Sequence, residues 1–175
     1  MHIHDRNFEE FISEHSISQT VEKMGREITN DYHGGELVCL VVLKGSFVFA
    51  ADLLRAIQLP CRVEFLSAKS YGTSMTTSGE VVMDLPDLNC RGKHILLIED
   101  IVDTGLTIST LISSLAKHGA TSLRVAALIS KPEMRKIDVQ VDYVGIEIPP
   151  VFIVGYGLDY AELGRNLPAI WALSE

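Results

Sequence analysis

The chain has 175 residues, a formal net charge of −8 and 47% hydrophobic residues. The length predicts one domain over residues 1–175, and the hydrophobic content excludes wholesale disorder. The acidic balance disfavours a nucleic-acid or membrane-surface binder, and without a signal-peptide pattern or a long apolar stretch we expect a soluble cytoplasmic protein.

The N-terminal part of the chain predicts a helix followed by a buried strand. Apolar residues recur there at helical spacing, namely Ile17, Val21, Met24 and Ile28. Ser16 is the predicted N-cap of this helix, and Gly34 and Gly35 end it. The continuous apolar run Leu37–Leu43 is typical of a strand buried on both faces, and Cys39 within it is a predicted core residue.

The rest of the chain repeats strands, loops and helices. Helices are predicted over residues 47–57 and 107–118, the second one closed by Gly119. Predicted strands cover residues 62–69, 81–83, 94–98, 123–130, 142–146 and 151–154. Residues 72–79 form a polar loop of Thr, Ser and Gly by composition. This alternation predicts an α/β fold with a parallel sheet and helices on both faces.

Four polar segments each follow a predicted strand. They are residues 44–45, 70–79, 99–107 and 131–132. The carboxyl ends of parallel strands meet at one edge of the sheet, and ligands of open α/β sheets bind at that edge. The sequence therefore predicts that these four segments contribute to a single site.

The third segment has the most informative chemistry. Glu99 and Asp100 are adjacent carboxylates, which suit sugar hydroxyls or a divalent metal. Side chains of adjacent strand residues point to opposite faces, so both acids can face one sugar only where the strand ends. Asp103 then opens an Asp-Thr-Gly turn, in which Gly105 lets backbone amides and a helix N-terminus approach a phosphate. The alternative is an ordinary loop in which Asp103 caps the helix.

Together, these motifs resemble the type I phosphoribosyltransferases, in particular their hypoxanthine-guanine branch. The matching segments are residues 42–46, 69–71, 94–107, 130–132 and 152–160, followed by Arg165. They occur in the family's order over roughly residues 40–168. The resemblance implies a twisted parallel sheet flanked by helices, with a small hood built from the N- and C-terminal segments.

The family's reaction would transfer ribose 5-phosphate from phosphoribosyl diphosphate to N9 of hypoxanthine, and of guanine as well. The products would be IMP or GMP and pyrophosphate, with Mg²⁺ as the cofactor. The resemblance also implies a homodimer or homotetramer. A relative that prefers xanthine or a pyrimidine, and a non-catalytic nucleotide-sensing regulator of the same fold, are the alternatives.

The resemblance further implies a role for each matching residue. The 5′-phosphate and ribose would be bound by Glu99, Asp100, Asp103, Thr104, Gly105, Leu106 and Thr107. Pyrophosphate would be bound by Lys44, Gly45 and Arg165, with Ser70 and Tyr71 at the start of a closing lid. The purine would be bound by Lys131, Phe152, Ile153 and Asp159. Mg²⁺ would be bound by Glu99, Asp100 and Asp159.

Three of these roles concern the base directly. Asp103 would lie near N7 of the purine and act as the general base. Lys131 would donate a hydrogen bond to the 6-oxo group, which excludes adenine because a 6-amino group offers no equivalent acceptor. Phe152 would stack on the purine ring. The resemblance also implies that the Leu43–Lys44 peptide can be cis.

Overall fold

The computed structural model describes residues 1–70, 81–84 and 90–174, with residues 68–70, 81–84 and 118 described by their backbone alone. Its strands and helices in chain order are β1 (His2–Ile3), β2 (Arg6–Ile12), α1 (Glu14–Asp31), β3 (Leu37–Leu43), α2 (Phe47–Ala56), β4 (Cys61–Ser70), β5 (Val81–Asp84), β6 (His94–Val102), α3 (Leu106–Leu115), β7 (Ser122–Ser130), β8 (Tyr143–Glu147), β9 (Ile153–Val154) and β10 (Ile170–Leu173). Two short 3-10 helices follow α3 and β7, at Ala116–His118 and Pro132–Met134.

A six-stranded sheet in the order β5-β4-β3-β6-β7-β8 forms the centre of the molecule. Strands β4, β3, β6, β7 and β8 are parallel, and β5 returns antiparallel along the edge of β4. The first six of the seven side chains of β3 are buried, which agrees with its continuous apolar run. The predicted parallel sheet is confirmed.

The helices cover both faces of this sheet, as predicted. Cys39 and Val41 of β3 belong to the core shared with α1 and α2, whereas Leu40 and Val42 belong to the core shared with α3. This division follows from the alternation of side chains along a strand. Cys39 is fully buried, as expected of a core residue.

A second, four-stranded sheet joins the two ends of the chain in the order β1-β2-β10-β9. This sheet is the hood that the resemblance implied. Its three strands β1, β2 and β10 were not predicted, because β2 buries only Phe8 and Ile12 and so lacks the alternation of a half-buried strand. Pairing with the distant β10 stabilises it, with Trp171 opposite Glu10.

Of two predicted helix boundaries, the structure contradicts one and confirms the other. The predicted N-cap Ser16 is wrong: it lies inside α1, while Ser13 has extended backbone angles and its hydroxyl accepts a hydrogen bond from the Ser16 amide. The C-terminal end of α3 continues as a 3-10 turn, and Gly119 (φ 70°) closes this turn as predicted. No helix of the described residues is long and apolar enough to cross a membrane.

Candidate active site

A cleft of about 380 Å³ opens between the carboxyl ends of β3 and β6 and the hood. Most of the residues with a predicted role line it, namely Gly45, Glu99, Asp100, Asp103, Thr107, Lys131, Phe152, Ile153, Asp159 and Arg165. The structure therefore brings together residues from three separate strand ends, those of β3, β6 and β7, and from the C-terminal segment. The expectation of a shared edge is confirmed for the segments after β3, β6 and β7, whereas the predicted contribution of residues 70–79 falls outside the described residues beyond Ser70.

An adjoining compartment of about 410 Å³ lies over the start of α3. It is lined by Thr104 and Gly105 of the predicted phosphate turn, and by Met134 and Lys136 from the segment after β7. The two compartments share Glu99, Ile101, Asp103 and Thr107 as a common wall. A ligand with a phosphate at one end could thus occupy both.

Glu99 and Asp100 both reach the cleft, although β6 continues to Val102. The reason is that β6 pairs with β3 only as far as Ile98, so the acids have no strand partner on that side, although pairing with β7 continues to Val102. Gly45 packs directly against the Asp100 carboxylate, and a Cβ at Gly45 would overlap it. The pyrophosphate loop predicted at Lys44 and Gly45 can therefore approach β6 closely only because it carries glycine there.

The electrostatics of these two acids reflect their burial. Glu99 is only 8% exposed, and its Oε2 has no hydrogen-bond partner among the residues described. Burial, together with the neighbouring Asp100, raises the pKa of Glu99 well above its usual range. Burial also raises the pKa of Asp100 to about 6, against the effect of a 2.8 Å hydrogen bond from the Ile101 amide.

Asp103 lies opposite Lys131 across the cleft. The distance from Lys131 Nζ to Asp103 Oδ2 is 3.8 Å, and the lysine side chain is only 8% exposed. Burial lowers the pKa of Lys131, while the charge of Asp103 opposes that shift. Asp103 Oδ1 is buried and has no hydrogen-bond partner within the described part of the chain. An unpaired carboxylate oxygen beside a buried ammonium can accept a proton or a hydrogen bond from a ligand.

The phosphate turn has the backbone that its glycine predicts. Gly105 is the N-cap residue of α3, with φ of 82°, and the Leu106 amide at the start of the helix donates a long 3.4 Å hydrogen bond to the Thr104 hydroxyl. The alternative of Asp103 as an ordinary helix cap is therefore wrong. Any Cβ at Gly105 would meet the Ile137 carbonyl oxygen at 2.5 Å, so only glycine fits this close approach. The N-terminus of α3 contributes favourable partial positive charge to the adjoining compartment.

The hood side of the cleft carries paired charges. Arg165 Nη2 lies 2.6 Å from Asp159 Oδ1, and Arg165 Nη1 donates to the Gly157 carbonyl at 2.8 Å. The Glu162 amide donates to Asp159 Oδ2 at 2.8 Å. Lys44 Nζ lies 3.6 Å from Glu162 Oε2, at the rim.

The apolar part of the hood side is formed by Phe152 and Ile153. Phe152 is 38% exposed and makes an edge-to-face contact with Tyr160, with ring centroids 5.8 Å apart. Ile153 is buried in β9 and pairs with Ala172 of β10. An aromatic face that stays half exposed at the edge of a cleft is suited to stacking on a flat ligand.

Four predicted residues, namely Lys44, Leu106, Ser70 and Tyr71, lie elsewhere or are not covered. Lys44 lies at the rim, outside both compartments. Leu106 begins α3 but lines neither compartment. Ser70 ends β4 with its backbone alone described, and the predicted lid residue Tyr71 and the loop over residues 72–79 lie outside the described residues.

The Leu43–Lys44 peptide is cis.

Sequence reasoning missed Arg135 and Lys136, which lie beside the predicted site. Arg135 Nη1 donates to the Asp103 carbonyl at 2.8 Å, and Lys136 lines the adjoining compartment. Two cations shortly after the predicted purine lysine were the available signal. Within the described residues, no three His, Cys, Asp or Glu side chains converge closely enough to hold a metal unaided.

Comparisons with known proteins agree with this geometry. A family model described as the phosphoribosyl transferase domain matches residues 9–161. The hypoxanthine-guanine phosphoribosyltransferase of Bacillus subtilis is 44% identical over 164 residues, covering 93% of this chain and 91% of the relative. That of Dictyostelium discoideum is 45% identical over 173 residues, covering 95% and 96%. A solved hypoxanthine-guanine phosphoribosyltransferase from Bacillus anthracis matches with a TM-score of 0.90 at 42% identity, covering 97% of this chain and 100% of that one.

Proposed function

This chain belongs to the phosphoribosyl transferase family, and from that premise we propose that it transfers ribose 5-phosphate from phosphoribosyl diphosphate to N9 of hypoxanthine. It is an enzyme of purine salvage that releases pyrophosphate, and we include guanine among its substrates. The observation that carries the proposal is the pairing of Lys131 with Asp103 in the same cleft as the phosphate turn. That pair offers a donor and an acceptor to the two polar edges of a 6-oxopurine.

Lys131 supplies the selection for a 6-oxo group. Its ammonium is almost fully buried, so a base that offers no acceptor would leave a buried donor unpaired. Such a loss costs about 1–3 kcal/mol, and more for a charged group, which disfavours adenine. Phe152 stacks on the ring from the hood side.

Asp103 is the proton acceptor in this proposal. As N9 of the purine attacks C1′ of the ribose, the bond from C1′ to the pyrophosphate oxygen breaks. The proton on N7 passes to the Asp103 carboxylate, which raises the electron density available at N9. The buried Oδ1, which lacks a partner within the described chain, supports this role.

The phosphates of the substrate are bound at two places. The turn over residues 103–107 and the start of α3 hold the 5′-phosphate, in the adjoining compartment. Lys44, Gly45 and Arg165 hold the pyrophosphate, and the planar guanidinium of Arg165 suits phosphate oxygens. Closure of the cleft by the segment that begins at Ser70 and Tyr71 would keep water from C1′.

Phosphoribosyltransferases generally use a divalent metal, and we propose Mg²⁺ here. The donors fit this cation: Glu99, Asp100 and Asp159 offer carboxylate oxygens to the cleft, and Glu99 Oε2 is buried without a partner in the described structure. Mg²⁺ commonly uses one or two carboxylates and completes its shell with substrate phosphates, so a site of three protein ligands is not required. Bound there, it would neutralise the charge of the pyrophosphate.

A direct assay tests this proposal. The protein is incubated with phosphoribosyl diphosphate, Mg²⁺ and, separately, hypoxanthine, guanine, xanthine or adenine, and the nucleotides are separated and quantified. We expect IMP and GMP and no AMP. A chain that forms no nucleotide from any 6-oxopurine would contradict the enzyme assignment and favour a nucleotide-sensing regulator, whereas a preference for XMP would favour the xanthine-specific alternative.

The remaining expectations concern the assembly and its surroundings. We propose a cytoplasmic homodimer or homotetramer that needs neither nucleic acid nor a membrane as a partner. The net charge of −8 supports the last point, since both partners are anionic. Sedimentation velocity over a range of protein concentrations measures the mass of the assembly, and a monomer at all concentrations would contradict this proposal.

A further inference from the structure

The segment that follows Lys131 folds back onto the turn that carries Asp103. The backbone amides of Lys136 and Ile137 both donate to the Thr104 carbonyl, at 3.0 and 3.1 Å. The close approach of the Ile137 carbonyl to Gly105 belongs to the same contact. The turn after β6 and the segment after β7 therefore hold each other in place.

Arg135 joins these two strand ends through its side chain. Its Nη1 donates to the Asp103 carbonyl at 2.8 Å, and its Nη2 donates to the Ser130 hydroxyl at 2.9 Å. Ser130 is the last residue of β7 and directly precedes Lys131. Burial lowers the pKa of Arg135, but a guanidinium stays protonated in proteins. Arg135 lines neither compartment of the cleft, so it acts on the site from behind.

We propose that Arg135 is a positioning residue, which fixes Asp103 relative to Lys131 and thereby aligns the proton acceptor with the purine donor. The inference rests on the proposed function, because the roles of Asp103 and Lys131 come from it. The planar guanidinium of Arg135 holds the Asp103 carbonyl and the hydroxyl of Ser130, the neighbour of Lys131, at a fixed spacing. A shift of either strand end would move the acceptor away from N7.

Lysine cannot replace arginine in this role. An ammonium group is a point charge on a flexible stem, whereas the guanidinium presents two donors in a rigid fork. The substitution Arg135→Lys therefore keeps the charge and most of the buried stem, and removes the fork. A misplacement of about 1 Å in an active site can cost roughly 100-fold in rate.

The test compares four proteins in steady-state assays with hypoxanthine and phosphoribosyl diphosphate: the wild type, Arg135→Lys, Asp103→Asn and the double variant. We expect Arg135→Lys to lower kcat by about 10- to 100-fold while the KM for phosphoribosyl diphosphate changes less than about threefold. In the Asp103→Asn background the same substitution should lower kcat by less than about twofold, because its effect passes through Asp103. If Arg135 had a merely structural role, Arg135→Lys would lower kcat by the same factor in the wild-type and the Asp103→Asn backgrounds.

Arg124 provides a matched control at the opposite end of β7. It donates to Asp31 at 2.6 Å and to the Tyr143 hydroxyl at 2.7 Å, away from the cleft. Both bonds come from Nη1, so Arg124→Lys removes two guanidinium hydrogen bonds without touching the site; it should lower the unfolding midpoint and leave kcat within about twofold of the wild type. If Arg135→Lys does not fold, Ser130→Ala removes one half of the contact and should lower kcat by about 3- to 10-fold, again only while Asp103 is present.

The outcomes separate this inference from the function on which it rests. A wild type that forms no nucleotide overturns both. An active wild type overturns the inference alone if Arg135→Lys turns over as fast as the wild type, or if the losses of Arg135→Lys and Asp103→Asn multiply. Non-additive losses with an unchanged KM for phosphoribosyl diphosphate support it.

Discussion

The cleft has two walls. The sheet wall carries Glu99, Asp100, Asp103 and Lys131 at the ends of β6 and β7, and the hood wall carries residues 152–165. The carboxylates of the two walls differ in whether they are paired. On the sheet wall, Glu99 and Asp103 each keep one buried oxygen without a hydrogen-bond partner among the described residues. On the hood wall, Asp159 is bound by Arg165 at 2.6 Å and by the Glu162 amide at 2.8 Å. Because an unpaired buried polar group costs free energy, the sheet wall is arranged for a ligand that supplies donors or positive charge. The hood wall is neutralised by its own residues until an anion competes for Arg165.

The difference follows from the elements that form each wall. β6 lies between β3 and β7, so its backbone is fixed by neighbours on both sides up to Ile98. The hood wall follows the two-residue strand β9, and three non-glycine residues there, Tyr156, Ala161 and Glu162, adopt positive φ angles. The rigid wall can hold unpaired groups in place for a ligand, which is the requirement for electrostatic preorganisation. The irregular wall relies on ion pairs.

Asp103→Asn should have the largest effect of any change to the sheet wall. An amide has almost the same shape as the carboxylate but does not accept the proton from the purine, so we expect kcat to fall by about 10²- to 10⁴-fold. The measurement is IMP formation at saturating phosphoribosyl diphosphate, with the unfolding transition as a control for the fold. Unchanged turnover would reduce Asp103 to a residue that shapes the phosphate turn, and would remove the main chemical difference between the walls.

Lys131→Met should have the next largest effect, which should be confined to the binding of the purine base. Methionine fills the buried space of the lysine stem but has no donor for the 6-oxo group. Loss of that bond, about 1–3 kcal/mol, predicts a 5- to 150-fold rise in the KM for hypoxanthine. The KM for phosphoribosyl diphosphate should stay within about twofold and serves as the internal control. An unaltered KM for hypoxanthine would rule out the assignment of Lys131 to the 6-oxo group.

Asp100→Asn should stabilise the ligand-free protein at alkaline pH. Burial holds the pKa of Asp100 at about 6, above its ordinary 3.8, so the native state binds more protons than the unfolded state between these values. The contribution of Asp100 to stability is therefore full below pH 4 and falls as the pH rises to about 6. A shift of two units corresponds to about 3 kcal/mol, and we expect about 1–2 kcal/mol because the carboxyl opens onto the cleft.

Urea unfolding of Asp100→Asn and the wild type at pH 4 and pH 8 measures this gain, which should vanish at the lower pH. The matched control is Asp159→Asn on the hood wall. That substitution weakens the ion pair with Arg165, so it should not stabilise the protein at pH 8. A loss of stability for Asp100→Asn at pH 8 would contradict the view that the buried, charged carboxylate of Asp100 destabilises the ligand-free protein.

Local sequence patterns could predict the sheet wall better than the hood. The apolar run of β3 and the position of the turn at Asp103 depend on neighbours in the sequence, so periodicity and glycine placement were sufficient. The end of β6 was set four residues too early, because its acids interrupt the apolar pattern while pairing with β7 continues to Val102. The pairing of Glu10 with Trp171 links opposite ends of the chain, which no local pattern reveals.

The same limit applies to the site. Which strand ends carry polar segments could be predicted from the order of elements alone. The burial of Lys131 and the ion pair between Asp159 and Arg165 depend on how distant segments pack, and so does the contact of Arg135 with the Asp103 carbonyl. Without the family resemblance, a lysine at a strand end is expected to be exposed to solvent.

Glu162→Gln should have the smallest effect. It tests whether the exposed ion pair between Lys44 and Glu162 on the hood wall contributes little to stability. The side chains of Lys44 and Glu162 are 71% and 74% exposed, and exposed pairs contribute about 0–1 kcal/mol. We therefore expect the free energy of unfolding to change by less than about 0.5 kcal/mol, while the Glu162 amide still donates to Asp159. Freeing Lys44 should lower the KM for phosphoribosyl diphosphate by about 1.5- to 5-fold at low salt, and the difference should fade at high salt. Glu27→Gln, which breaks the exposed pair with Lys23 on α1, is the control and should leave this KM unchanged; a raised KM for Glu162→Gln would mean that Glu162 assists the substrate instead of competing with it.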